Sequence, residues 1–239
     1  MAEMDHLQSY LARATVSQEV FTLRPDYRVL LLAISGIKPG PSDAQSGALL
    51  LEAETTAKDL LSSKTLSDLP HISAWRETYK SFGSKPAKFK NSVEALTKRA
   101  IGGLPRVNRL TDIYNAVSVK RQIPLGGEDL DKYVGPPRCI RASGEEKFET
   151  TASGAAVLEH PDQGEVIWSD DAGVTCRRWN WRQCSRTALS DDTASALFIL
   201  DALKPCDDRA LNEAGDELVE ALKTSSPDMV VAKRLIGAS

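Results

Sequence analysis

The chain has 239 residues, 41% of them hydrophobic, 26% charged and 6% aromatic, with 15 Gly, 12 Pro and a net charge of −3. Such a composition excludes collagen-like, low-complexity and wholly disordered chains. The length allows a core that needs no disulfide or metal staple, and no apolar run nears the ~20 residues of a membrane helix.

In chain order, the first residues (Met-Ala-Glu-Met-Asp-His) carry neither a basic flank nor an apolar segment, so no secretory signal is read and a cytoplasmic location is expected. Residues 21–37 read as extended: a first strand, a turn at Arg24, Pro25 and Asp26, then a strand apolar enough at 29–34 to be central. Beyond Pro39, Gly40 and Pro41, a helix capped by Ser42 or Asp43 is predicted to run to about Leu61 on a stripe of Leu49, Leu50, Ala53, Ala57 and Leu60. Residues 71–122 look mainly helical. Ile72, Trp75 and Tyr79 mark one helix, Asn91 and Glu94 have capping-box spacing for a second, and Leu110, Ile113, Tyr114 and Val117 mark a third. The segment 124–129, with Gly126 and Gly127, reads as a loop. From 138 the period becomes two, predicting strands at 138–142, 156–159, 165–169, 174–182 and 196–201, with a hairpin connection at 170–173. A helix over 207–222 closes the reading. The expected class is α/β, or α+β overall: an N-terminal α/β part, a central helical segment and a β-rich C-terminal half.

Common chemical signatures are absent: there is no P-loop, dinucleotide-binding glycine motif or nucleophile elbow. The four Cys (139, 176, 184, 206) and three His (6, 71, 160) are scattered, which argues for reduced thiols and against a zinc site. Neither a metal nor an organic cofactor is expected. His71, at a helix start, reads as a capping or packing residue. Charge is unevenly placed. Residues 76–121 hold eleven cations against three carboxylates, a net +8 that leaves −11 on the rest of the chain. Either these are solvated helix faces or they form a dock for a polyanion; the scarcity of local carboxylates favours the dock, with Lys80, Lys85, Lys88, Lys90, Lys98 and Arg99 as RNA-binding candidates.

Two segments could carry chemistry. Read as one strand, residues 176–183 send Cys176, Arg178, Asn180 and Arg182 to one face and Arg177, Trp179, Trp181 and Gln183 to the other. Guanidinium and amide groups can hold a carboxylate, a phosphate or a developing oxyanion, and indoles can stack on a base or form a lid. The alternative is an edge strand whose Trp residues pack on the core while the Arg stems lie along it. In the second segment, Gly126 and Gly127 could let backbone amides approach a ligand, with Glu128 and Asp129 orienting a water or an ammonium group. Asn115 and Ser118 share a face of the preceding helix.

These stretches in this order (residues 71–96, 104–132, 166–183 and 193–203) resemble the freestanding B3/4 domain proteins, relatives of the tRNA-binding and editing module of the phenylalanyl-tRNA synthetase β subunit. The likeness covers roughly residues 20 to 205 and is most specific through Asp112, Asn115, Pro124, Asp129 and Leu130. It implies a 1–20 extension, a B3/4-like domain over 21–205, and a C-terminal helix and tail over 206–239. It also implies hydrolysis of a mischarged aminoacyl-tRNA at a site between two halves of an α/β module. This chain departs from the synthetase pattern: Gly126, Gly127, Glu128 and Asp129 replace a His-Ala-Phe-Asp run, and Arg177 to Arg182 replace a glycine-rich strand. The position of the module's tyrosine-reading glutamate corresponds to apolar Phe198, Ile199 and Leu200. Tyrosine specificity is therefore not expected. The expected activity is trans-editing deacylation, with Arg178, Asn180, Arg182 and Glu128 as catalytic candidates. Asn115, Ser118, Gly126, Gly127, Asp129, Arg177, Trp179 and Trp181 are the substrate-binding candidates. The expected partners are the tRNA acceptor end and an aminoacyl ester or free amino acid, with no membrane and no DNA. The alternative is a non-catalytic protein that binds tRNA or an amino acid.

Overall fold

The structure is a computed structural model and describes residues 1–152 and 154–238. Helix α1 (Ala2–Ala12) sends Leu7, Tyr10 and Leu11 into the core, and strand β1 (Thr15–Val16) follows. Helix α2 (Gln18–Leu23) comes next; it stands where a strand was expected from Phe21, because Val20 and Phe21 reach the core from one side of a short helix. Strand β2 (Arg28–Ser35) is buried on both faces, which explains its unbroken apolar run. Helix α3 (Ala44–Leu61) starts at a reciprocal cap: Asp43 accepts from the Ser46 N–H at 2.8 Å, and Ser46 Oγ accepts from the Asp43 N–H at 3.1 Å. Helix α4 (Pro70–Ser81) has proline in its first turn, where no amide donor is missed.

Helix α5 (Ser92–Ala100) is capped by Asn91, but only half of the expected box forms, because the Glu94 carboxylate turns to Arg76 at 2.6 Å. Helix α6 (Arg109–Arg121) is capped by Asn108 and ends at Gln122 in the left-handed region. Then come β3 (Leu125–Asp129), β4 (Arg138–Arg141), β5 (Phe148–Ala152), β6 (Ala155–Glu159), β7 (Val166–Ser169), β8 (Val174–Arg177), β9 (Arg182–Gln183) and β10 (Ser195–Ala202). Helix α7 (Asp208–Lys223) and strand β11 (Val230–Gly237) complete the chain.

An antiparallel sheet of order β11-β2-β10-β3 is the centre of the molecule. One of its faces, with Leu30, Leu32, Ile34, Phe198 and Leu200, packs on α6 and α7. Helices α3 and α5 pack in turn against α6 through Leu50, Ala53, Ala57, Ala100, Ala116 and Val119. The other face, with Val29, Leu31, Ala33, Leu197 and Ile199, meets α1, α2, α4 and the second sheet, of order β1-β4-β7-β8-β9. Trp75, Trp168 and Trp179 fill this seam. The result is a mixed α/β fold in which two sheets face each other. Among the described residues no helix is long and apolar enough to cross a membrane.

Three further expectations change. The glycine-rich segment at 124–129 is strand β3, not a loop: it is an edge strand, and its glycines face the Phe198 ring and the Gln183 side chain instead of solvent. Residues 174–182 are not one strand. The chain reverses at Arg178 and Trp179, which have φ values of 45° and 66°, and returns as β9. The alternation read across 176–183 therefore fails after Arg177. Strand β11 went unforeseen, yet it pairs with the whole of β2.

Candidate functional site

The register of β3 against β10 opposes Glu128 to Leu197 and Gly126 to Ile199. On the sheet face turned toward the seam, Gly126 leaves a notch where most residues would place a side chain; a Cβ there would meet Gln183 Nε2 at 2.8 Å. The notch opens into a cavity of about 240 Å³. Its floor is made of buried residues: Glu128, Trp168, Cys176, Trp179, Asn180, Ile199 and Asp201. Its mouth is formed by Ser92, Ala95 and Leu96 of α5, Tyr114 of α6, and Trp181, Arg182 and Gln183 of the 177–183 hairpin.

Two carboxylates lie at the floor. Glu128 is 1% exposed. Its Oε2 accepts from Tyr133 at 2.7 Å and from Thr187 at 2.8 Å, while Oε1 is buried without a partner. Burial pushes its carboxyl above the ordinary range, against the pull of those hydroxyls. Asp201 accepts from the Tyr27 hydroxyl at 2.6 Å and from Asn180 Nδ2 at 3.2 Å, and Tyr79 donates to Asn180 Oδ1 at 2.9 Å. Its complete burial outweighs these bonds and raises its carboxyl to about 7. The indole N–H of Trp168 lies beside Asp201 and that of Trp179 beside Tyr27, neither closing a hydrogen bond. Burial also raises the Cys176 thiol, which is thus no nucleophile at neutral pH.

Of the residues singled out in the sequence, Glu128, Asn180, Arg182, Asn115, Gly126, Trp179 and Trp181 line this cavity. The others do not. Arg177 is bound by Glu165 at 2.8 Å and Glu159 at 2.9 Å. Arg178 pairs with Asp162 at 2.9 Å and lies 3.7 Å from the Phe89 ring centre. Ser118 donates to the Ile123 carbonyl. Gly127 faces Phe198 on the opposite side of the sheet, and Asp129 accepts from the Thr193 hydroxyl and the Asp131 N–H. Both indoles fulfil the packing alternative in part: Trp179 is wholly buried against Tyr27 and Trp75, and Trp181 packs edge-to-face with Phe89, ring centres 4.9 Å apart. Sequence reasoning missed Asp201, Tyr114 and Ser92. Asp201, which ends an apolar strand, was the one legible signal, since a carboxylate there has to be buried or functional.

The basic block is smaller than its sequence suggests. Arg76, Lys80, Arg106, Arg109, Lys120 and Arg121 are ion-paired, Lys80 with Glu77 and the others mostly with carboxylates distant in sequence. Lys85, Lys88, Lys90, Lys98 and Arg99 have no such partner among the described residues. They lie on the α4–α5 loop and on α5, of which α5 forms one side of the mouth. Helical spacing puts Arg99 on the same face as Ser92, Ala95 and Leu96. His71 is a packing residue, as expected: Nδ1 bonds the Gln122 carbonyl, and Nε2 accepts from Trp75 and from the Leu203 N–H.

A mostly apolar cavity with two buried carboxylates at its floor, at the seam of two sheets and walled by aromatics, has the form of a small-molecule site in an α/β module. The chain belongs to the B3/4 domain family, which it matches over residues 74–225. Among solved structures it is similar to an N-terminal fragment of the phenylalanyl-tRNA synthetase β-subunit from Pyrococcus horikoshii. The identity is 12% and the TM-score 0.46, with 91% of this chain and 49% of that one covered, so this chain spans about half the length of the fragment. No curated protein matches the chain in sequence.

Proposed function

We propose that this protein associates with tRNA and hydrolyses the ester of a mischarged aminoacyl-tRNA, taking the aminoacyl group into the Glu128 cavity. The observation that carries this reading is a buried carboxylate with one unpartnered oxygen, enclosed by aromatic walls, behind a mouth flanked by unpaired cations. Burying Glu128 is costly unless a ligand supplies a donor or a positive charge. The α-ammonium of an aminoacyl group, or a cationic side chain, supplies both, and the indoles add cation–π attraction. Lys85, Lys88, Lys90, Lys98 and Arg99 then hold acceptor-end phosphates, a contact that orients without reading sequence. In the reaction, water adds its hydroxyl to the acyl carbon and its proton goes to the departing ribose oxygen, releasing free amino acid and tRNA. Asp201, poised near neutrality, can take and return that proton, and Arg182 and Asn180 can steady charge on the acyl oxygen.

The second reading is a binder of tRNA or a free amino acid without turnover. It is favoured by both oxygens of Asp201 already accepting hydrogen bonds. One experiment separates the two. Cellular tRNA charged with each amino acid, including mispaired ones, is incubated with wild type, Glu128→Gln and Asp201→Asn, and ester loss is followed. Accelerated loss for one or a few esters, abolished by both substitutions, supports the hydrolase. Stable esters at protein concentrations that retard tRNA refute hydrolysis and leave the binder.

A further inference from the structure

Eight carboxylates are buried among the described residues, and they divide by what neutralises them. Glu54, Glu94, Glu165 and Asp170 are each paired with an arginine, at distances between 2.6 and 2.8 Å. Asp112 and Asp129 accept from the backbone N–H groups of Val107 and Asp131. Glu128 and Asp201 have neither kind of partner. Their hydrogen bonds come from the neutral side chains of Tyr133, Thr187, Tyr27 and Asn180, and the Trp168 indole beside Asp201 is neutral too. These two carboxylates line the same cavity. The sheet holds them apart. Glu128 on β3 stands opposite Leu197, and Asp201 lies four residues further along β10 on the same face, with about 13–14 Å of strand between them. Ile199 and Gly126 occupy the register between the two, and the Cys176 thiol feels both charges. The cavity is thus a largely apolar trough with an uncompensated acid toward each end.

We infer that the aminoacyl group taken by this cavity has a cationic side chain, of lysyl, ornithyl or arginyl type, with Glu128 receiving the side-chain cation and Asp201 the α-ammonium. This rests on the aminoacyl reading above and adds to it the class of amino acid. The two ends are told apart by chemistry. In that reading Asn180 and Arg182 steady the acyl oxygen, and the α-ammonium is one carbon removed from the acyl carbon. It therefore falls to Asp201, to which Asn180 is bonded at 3.2 Å. The methylenes of the side chain lie along Ile199, over the space that Gly126 leaves open. An apolar or acidic side chain leaves Glu128 buried without a counter-charge, and so binds more weakly.

The test uses amide-linked aminoacyl-adenosines, which keep the amine and the acyl oxygen but are not hydrolysed as esters. They carry each protein amino acid, ornithine or norleucine, the last being lysine without its terminal ammonium. Binding to the full chain is measured by calorimetry. A basic analogue should bind tightest, and the norleucyl analogue at least about tenfold more weakly than the lysyl one. In Glu128→Gln that preference should collapse while the norleucyl analogue binds as it does to wild type, which separates a lost contact from a lost fold. Near pH 6.5 the basic analogue should release more protons than the norleucyl one, read from the dependence of the enthalpy on buffer, because a second cation draws the raised Glu128 carboxyl into its charged form. A neutral or acidic analogue that binds as tightly as the basic ones overturns the inference and leaves the aminoacyl reading standing. Wild type that binds no analogue overturns both.

Discussion

Asp201 and His71 are both buried and titrate in opposition, so replacing either should change the shape of stability against pH. Asp201 is raised from 3.8 to about 7. Between these values the native state holds a proton that the unfolded chain has released, so its contribution is complete below pH 4 and is lost as pH rises to 7. The displacement of roughly three pH units amounts to about 4 kcal/mol. His71 is lowered from 6.5 to about 4, chiefly by burial. Its Nε2 accepts two hydrogen bonds, which only the neutral ring can do. Its contribution is complete above pH 6.5 and falls as pH drops to 4, by about 3 kcal/mol. Across pH 4–6.5 the two slopes nearly cancel in wild type. Asp201→Asn should unmask the histidine, so that stability rises by about 3 kcal/mol from pH 4 to 6.5. His71→Asn should unmask the aspartate and reverse the slope. Urea unfolding at half-unit pH intervals measures both. An Asp201→Asn curve parallel to wild type across that window would falsify the burial argument for this carboxyl.

Other outcomes follow from the geometry. Gly127→Ala places a Cβ at 2.8 Å from the Phe198 ring and 3.1 Å from Leu189, and should lower stability by about 1–3 kcal/mol in denaturant titrations. Gly126→Val, one residue away on the other face, should instead fill the cavity mouth beside Gln183 and abolish ligand binding with a smaller change in melting. Arg177→Ala removes the main ion-pair partner of Glu165, a carboxylate 2% exposed that keeps the Arg178 and Asp162 amides as donors, and should cost about 1–3 kcal/mol; a change below 1 kcal/mol by calorimetry would remove this pair from the structural framework. Replacing Lys88, Lys90, Lys98 and Arg99 by Gln should flatten the salt dependence of tRNA retention by roughly 0.7–0.9 in log–log slope per lost contact. The ion-paired Arg109 and Arg121, replaced likewise, should leave that slope unchanged.

Much of the framework was legible because its signals are local. Asp43, Asn91 and Asn108 cap helices within one turn, and the apolar run at 29–34 has no solvent face to alternate with. The errors arose where a distant element decides. Gly126 and Gly127 weaken any strand taken alone, and only pairing with β10 makes β3 one. The left-handed positions of the reversal are Arg178 and Trp179, neither a glycine nor an asparagine, while Asn180 follows them, and this backbone is accompanied by burial of the Trp179 ring. Charge misled for the same reason. Glu54 and Glu217, which neutralise part of the basic block, lie outside it in sequence. At the site, Glu128, Asn180 and Arg182 could be picked by residue type, whereas Ser92 is marked only by a hydroxyl that finds no partner once the chain is folded.

The position of β2 also bears on how the chain is made. Its Ser35 pairs with Ser195 on one side and Val230 on the other, so the most apolar strand of the molecule is synthesised long before either neighbour. Until then both of its edges can pair with other chains, the situation in which nascent proteins aggregate. Sheet closure with such sequence separation is slow. During translation β2 therefore stays without its sheet partners until β10 has been made. A ribosome stalled before β10 would release a product with no central sheet, and hence without the floor of the cavity.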